Sequence, residues 1–219
     1  MEKIQTYGDI VLLNVEGERK TDETPFGITH IREKIPSTLE NQLVMRKDGF
    51  FLADRMLCAT INLRRSKVDY EKLVRLEVKQ TSEYREEFRA IAHKSFPVDR
   101  RFHITVEYNE ELANAVIDQW IDGLDEWLVC MYKDLPVGFL ALKEQDEKNI
   151  EIYLAAVDEK YRLTGAAISL YAKTAQMCKE KGYMNLLGWI STVNTPVMNV
   201  YSGLGATFSK PMDIFLKEL

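Results

Sequence analysis

Apolar positions recur along this chain at two spacings, every second residue and every three to four, and the switches between them mark out the elements. Ile10–Val15 alternates as a short strand. A polar stretch with Gly and Pro follows through Pro36, and a helix is expected from Ser37, as N-cap, to Lys47, closed by Gly49. Phe50–Leu63 has mixed alternation and reads as a strand or hairpin. Lys67–Lys72 is densely charged and marks a boundary. Beyond it, Val74–Val78 is expected as a strand. Ser82–Ala92 then reads as an amphipathic helix capped by Thr81 or Ser82, with Tyr84, Phe88, Ile91 and Ala92 on one face. Glu110–Leu124 is a second helix, with Leu112, Ala115, Val116, Gln119 and Trp120 in register.

Three short strands come next: Glu126–Tyr132, Val137–Lys143 and Ile150–Val157. The first two meet at the tight turn Lys133–Pro136 and the last two across the polar stretch Glu144–Asn149, as in an antiparallel meander. Leu163–Lys181 is the longest helical pattern. Its expected buried face is Ala167, Leu170, Tyr171, Thr174 and Cys178, and Gly182 closes it. Met184–Thr192 reads as a strand, Thr195–Leu204 as a short helix and Phe208–Leu216 as a final strand. Helix, Gly49-Phe-Phe-Leu and strand echo helix, Gly205-Ala-Thr-Phe and strand, as if residues 1–70 were the remnant of a second copy. The expected division is an N-terminal α/β segment, 1–70, and a main domain, 71–219. The fold class is α+β: a mixed, mostly antiparallel central sheet flanked by helices.

With 219 residues, the chain can bury a substantial core. Its 46% hydrophobic and 29% charged residues are those of an ordinary globular protein. A net charge of −5 argues against a broad nucleic-acid or anionic-membrane surface while permitting a local basic pocket. No apolar run reaches the roughly 18 residues that a bilayer span needs, and the first residues lack a signal-peptide core, so the expected compartment is the cytoplasm. Cys58, Cys130 and Cys178 are far apart in apolar stretches and are expected as buried free thiols. They make no metal spacing with His30, His93 and His103, and no metal site is expected.

The candidate chemistry centres on residues 150–168. A strand ending at Val157 feeds a helix through a turn containing Gly165, which aims backbone N–H groups and the positive end of a helix dipole at one spot. The amides of Leu163, Thr164, Gly165, Ala166, Ala167 and Ile168 suit a phosphate without needing a charged side chain.

Together with Arg162-x-x-Gly165-x-Ala167, the helix, the strand Leu186–Ile190 and Asn194-x-x-Val197-x-x-x-Tyr201-x-x-x-Gly205-Ala, this stretch resembles the GCN5-related N-acetyltransferase (GNAT) superfamily. The likeness covers about residues 73–219. It departs from the family's usual turn in having Ala166 and Ala167 where further glycines are common. It departs again in having Val197 where Ala is frequent.

The resemblance implies an acetyl-CoA-dependent N-acetyltransferase. On that analogy the coenzyme's pantetheine arm would pair with Ala155, Ala156 and Val157, one of whose N–H groups would face the thioester oxygen. One such donor is worth roughly 3 kcal/mol of barrier in other enzymes. The analogy makes Arg162 part of the pyrophosphate turn and has Asn194 hold the pantetheine or the Tyr201 phenol. Tyr201 becomes the general acid, since a phenol of pKa about 10 can donate to a departing thiolate. The general base is left open between Glu151, Tyr153, Glu144 and a water chain.

The segments Phe96-Pro-Val-Asp-Arg-Arg-Phe-His, Gln119-Trp-Ile-Asp and Gly49-Phe-Phe-Leu-Ala-Asp-Arg further resemble bacterial amino-sugar enzymes typified by TDP-fucosamine acetyltransferase. In that reading Arg100, Arg101, Phe102 and His103 bind a TDP-linked amino sugar, with the arginines clamping its diphosphate. Another small amine, an antibiotic or a protein N-terminus remains open as the acceptor. So does a non-catalytic acyl-CoA-binding regulator, and a homodimer is compatible with the sequence.

Overall fold

The computed structural model describes residues 1–17, 24–96 and 109–219. The chain opens with β1 (Glu2–Tyr7), β2 (Ile10–Glu16), β3 (His30–Pro36), α1 (Leu39–Lys47), β4 (Phe51–Asn62) and the short α2 (Tyr70–Leu73). It continues with β5 (Glu77–Thr81), α3 (Arg85–Ser95), α4 (Glu110–Asp122), β6 (Trp127–Tyr132), β7 (Leu135–Glu144) and β8 (Asn149–Val157). A 3-10 turn, Glu159–Thr164, leads into α5 (Ala166–Glu180), followed by β9 (Asn185–Ser191), α6 (Thr195–Gly203) and β10 (Thr207–Glu218). The strands make one sheet in the order β1-β2-β3-β10-β4-β9-β8-β7-β6-β5. Among the described residues only the pairs β2–β3 and β8–β9 are parallel, so the sheet is mixed and mostly antiparallel, with helices on both faces, as expected.

The expected meander is β6–β7–β8, antiparallel throughout. Phe50–Leu63 resolves into one twelve-residue strand rather than a hairpin. One apolar core lies on the α5 and α6 face and contains Ile61, Leu140, Ile150, Ile152, Leu170, Tyr171, Cys178 and Tyr201. A second lies under α3 and α4, around Phe88, Val116, Ile117, Trp127, Phe139 and Leu154. α1 packs its Met45 with Leu13, Val15, Ile31 and Phe215 in a third cluster. All three thiols are buried and free, and burial pushes those of Cys130 and Cys178 up to about 11.

Several boundaries differ from the sequence pattern. The segment expected to begin a strand at Val74 instead links α2 to a strand that starts at Glu77. The Arg75 and Leu76 amides donate to the buried Ser169 Oγ of α5 at 2.9 and 3.2 Å, which ties that link to the helix rather than to a sheet. Thr81 ends β5, and its hydroxyl accepts from the Glu83 amide, so neither Thr81 nor Ser82 caps α3. That helix begins at Arg85 after Tyr84, whose φ is +69°. In α4 the buried stripe is Ala113, Val116, Ile117 and Ile121. Ala115 and Gln119 face outward, and the Gln119 Oε1 accepts from Gln5 Nε2 of β1 at 3.1 Å. β1, which the weak alternation of Glu2–Tyr7 did not announce, thereby meets α4, and the two line one cavity.

Candidate functional site

β8 and β9 run parallel but part company halfway. Their register runs from Asn149↔Asn185 to Ile152↔Gly188 and stops there, although β8 continues to Val157. Beyond that point Leu154–Val157 keep only β7 as partner, through Ala141, Leu140, Phe139 and Gly138. The cause lies in β8 itself. Opposite the step Ala141–Leu142, β8 spends three residues, Ile152, Tyr153 and Leu154, so Tyr153 is the extra residue of a bulge. The bulge reverses the side-chain alternation. Ile150 and Ile152 face the α5 core, whereas Leu154 and Ala156 join the α3–α4 core. The result is a fork in the sheet with an unpaired β8 edge along Ala155–Val157. The Ser95 hydroxyl of α3 donates to the Val157 carbonyl at 3.3 Å, at the tip of that edge.

Beyond the fork the backbone turns into α5. Leu163 and Thr164, expected in the first turn of the long helix, belong to the preceding 3-10 turn. The Leu163 side chain is fully exposed there, and the Thr164 hydroxyl donates to the Tyr161 carbonyl at 2.7 Å. Gly165 lies between the two with φ +86°, a left-handed conformation that disfavours a side chain. The first α5 ladder bond runs from the Ser169 amide to the Gly165 carbonyl, and no side chain caps the helix. The Ala166, Ala167 and Ile168 amides thus head a fifteen-residue helix without a side-chain cap, an arrangement that suits an anion. Arg162 is exposed beside this turn. Arg75 also approaches it, since its Cδ would lie 3.6 Å from a Cβ at Gly165. The sequence pattern had not singled out Arg75, because its place comes from the Ser169 tether.

Tyr201 rises from α6 on the α5 face. It is buried and meets Tyr171 edge-on at 5.2 Å. Its phenol lies against Gly188, the last β9 residue in register with β8. A Cβ at Gly188 would collide with the Tyr201 Oη and fall 2.7 Å from Cζ. Only glycine leaves that space, so the phenol reaches the crotch of the fork. Asn194 stands at the head of α6, where its Oδ1 accepts from the Val197 amide at 3.3 Å. Its carboxamide oxygen is therefore engaged as a helix cap.

On the opposite face a cavity of about 950 Å³ opens, within the size range of small-molecule sites. Its floor crosses β3, β10, β4, β9 and β8 through Arg32, Lys34, Ile214, Met56, Trp189, Glu151 and Tyr153, and β1 and the end of α4 wall it. Tyr153 stacks at a tilt on Trp120 at 5.4 Å. Glu151 accepts from Gln145 Nε2 at 2.7 Å. Burial raises the Glu151 carboxyl above its ordinary pKa, while Lys34 and Lys143 pull it back. Glu144, the other carboxylate considered as a base, is exposed and interacts with Tyr183. Arg100, Arg101, Phe102 and His103, expected on the acceptor, lie outside the described residues.

Residues 81–206 match the family model described as Acetyltransferase (GNAT) family. No curated protein matches the chain. Among solved structures it is similar to a conserved protein of unknown function from Staphylococcus epidermidis ATCC 12228. That match has a TM-score of 0.61 at 17% identity and covers 87% of this chain and 73% of that one. It is also similar to a GCN5-related N-acetyltransferase from Sphaerobacter thermophilus, with a TM-score of 0.56 at 13% identity over 86% of this chain and 59% of the other. A third is a tandem GNAT protein from the clavulanic acid biosynthesis pathway, solved without AcCoA. Its TM-score is 0.55 at 11% identity, over 88% of this chain and 65% of that one. At these identities the likeness to solved structures is one of fold. No helix among the described residues is long and apolar enough to cross a membrane.

Proposed function

The chain belongs to the acetyltransferase (GNAT) family, an N-acetyltransferase family that uses acetyl-CoA, and from that premise we propose how its residues divide the work. The pantetheine arm lies along the unpaired edge Ala155–Val157, and the pyrophosphate sits on the Ala166–Ile168 amides, with Arg162 and Arg75 beside it. The amine enters from the large cavity. Glu151 takes its proton directly or through water, helped by a raised pKa that makes it a better base than an exposed carboxylate. Tyr201 gives its proton to the departing thiolate from the other face of the sheet, and Asn194 holds the head of its helix.

One observation carries this reading. The Tyr201 phenol against Gly188 and the cavity bearing Glu151 meet at the same fork from opposite faces. Acid and base are thereby kept apart, so neither neutralises the other and each can act on its own side of the reacting carbonyl.

The division of the chain belongs to the same proposal. Residues 71–219 are the transferase domain, and residues 1–70 are an N-terminal α/β segment, a degenerate second half of the same design. The element order β3–α1–β4 beside β9–α6–β10 supports that reading. A nucleotide-linked amino sugar, the acceptor suggested by residues 96–103, is one candidate among amines.

Tyr201→Phe tests the assignment. Thiol release from acetyl-CoA is expected to fall by about a hundredfold or more in kcat, in line with general-acid catalysis. Acetyl-CoA affinity, measured by calorimetry, should stay within threefold. Unchanged kcat would remove Tyr201 from the chemistry. Because the protein's own thiols are buried, a thiol reagent reads the released coenzyme.

A further inference from the structure

Among the described residues, the acceptor cavity is lined by more cations than acids. The whole chain has a net charge of −5, yet the cavity lining contributes Lys3, Arg32, Lys34 and Lys143 against Glu16 and Glu151. Two of these cations are built into the floor. Arg32 and Lys34 sit two residues apart on β3, on the same face, beside Asn14 and Glu16, their register partners on β2. Arg32 is buried, and its Nε donates to Asn14 Oδ1 at 3.1 Å.

Lys34 reaches across β10 and β4 until its Nζ lies 4.0 Å over the Trp189 ring. Trp189 follows Gly188 in sequence, so the ammonium stands close to the fork. Burial lowers the pKa of Lys34, and Glu16 and Glu151 oppose that shift without cancelling it. Burial lowers Arg32 likewise, with Tyr7, Glu16 and Tyr153 opposing. The Lys34 ammonium, held partly out of water over the Trp189 ring, would gain from a further anion, and the buried Arg32 stands two residues away on the same face.

We propose that the acceptor is an amine that also bears an oxyanion, a carboxylate or a phosphate, and that Arg32 and Lys34 hold this oxyanion while the amine faces Glu151. The inference rests on the acetyltransferase reading above. A polyamine is disfavoured in this cavity, since its second ammonium would meet Lys34 and Arg32. The β3 cations thus act as specificity determinants supplied by the N-terminal segment to a reaction carried out at β8 and α6.

The test uses paired probes differing only in the oxyanion: L-phenylalanine with phenethylamine, and glucosamine 6-phosphate with glucosamine. Thiol release and calorimetric binding are measured for wild type, Lys34→Gln and Lys34→Arg. In at least one pair the anionic member is expected to be favoured at least tenfold, and which pair responds tells carboxylate from phosphate. Lys34→Gln should collapse the preference, chiefly through KM and Kd for the anionic member, and Lys34→Arg should restore much of it.

A preference that survives in Lys34→Gln, or no preference in either pair, overturns the proposal. Discrimination in binding without any acetyl transfer would leave it standing and count against the catalytic assignment instead. Transfer to all four amines without discrimination does the reverse.

Discussion

The units β3–α1–β4 and β9–α6–β10 occupy symmetrical places in one sheet, yet only the second lies beside the fork between β8 and β9. Their final strands, β4 and β10, are twelve residues each and pair antiparallel at the centre. β3 flanks β10 and β9 flanks β4. Outside them, parallel β2 accompanies β3 as parallel β8 accompanies β9, and antiparallel β1 and β7 follow. From there the halves differ. Thirteen residues, 17–29, separate β2 from β3, fewer than the 15 of α5 alone. The β1–β2 register is unbroken, and β2 stays paired with β3 up to its last residue, Glu16. β8 has one residue too many at Tyr153, leaves β9 after Ile152 and delivers the chain to a helix N-terminus. A shared frame thus yields a site only where a bulge opens the sheet and a helix begins at the opening. The regular half contributes a wall.

Removing the bulge is expected to have the largest effect. Deleting Tyr153 would give β8 the regular register that β1 keeps with β2, leave Leu154 and Ala156 in the α3–α4 core, and remove both the kink that parts β8 from β9 and the stacking on Trp120. The apparent melting temperature should fall by about 5 °C, which for a chain of this size corresponds to roughly 1–3 kcal/mol. Acetyl-CoA affinity should fall by more than a hundredfold. A variant that still binds the coenzyme normally would show that the fork does not depend on the bulge.

A smaller intrusion targets the fork alone. Gly188→Ala puts a methyl group where the Tyr201 phenol lies, an overpacking that costs about 1–3 kcal/mol. Turnover should drop at least a hundredfold as the phenol is displaced. Gly203→Ala, in the same unit but with no atom within 4 Å of its added carbon, should change neither stability nor rate appreciably. Equal effects from the two would mean that the contact at the fork is irrelevant.

The subtlest difference lies in charge. Burial raises Glu151, with Glu16 adding to the shift and Lys34 and Lys143 opposing it. With a raised native pKa, the folded state still holds a proton that the unfolded chain has released. Stability from this group is therefore full below the ordinary carboxylate pKa and declines as pH climbs through the raised one. Glu151→Gln should remove that slope and be at least as stable as wild type at pH 8. Its kcat should fall roughly ten- to a hundredfold, and the acidic limb of the rate profile should disappear with the carboxylate. A limb that persists unchanged in the variant assigns it to another group.

Much of this frame was legible because strong periodicity and turn residues coincide. Gly165, Gly182 and the Asn194 cap delimit α5 and α6 nearly where the pattern put them, and the β6–β8 meander follows its turns. The misses share a cause, namely contacts distant in sequence. Val74 and Leu76 look strand-like because they are apolar, but they pack near α5 through Ser169. The sequence pattern puts the buried stripe of α4 on Leu112, Ala115, Val116, Gln119 and Trp120, whereas Ala113, Val116, Ile117 and Ile121 are the residues buried. The stretch through Pro36 reads as a polar connection, yet its end, His30–Pro36, is strand β3. Arg32 and Lys34 line a cavity only because β1 and the end of α4, distant in sequence, close in on it. The bulge at Tyr153 has no local signature, because an extra residue is defined only against its partner strand.

The placement of β10 also bears on how the protein is made. This strand enters the sheet between β3 and β4, both synthesised long before it, and it is hydrogen-bonded to each. Until it emerges from the ribosome, β3 and β4 face each other across a gap of two strand spacings, about 10 Å, with edges that nothing yet covers. β4 must also wait for β9 on its other side. Such late, long-range pairing slows folding and leaves nascent edges open to mispairing with other chains. Substitutions along β10 should therefore reduce the yield of folded protein more than they alter the chemistry of the molecules that do fold.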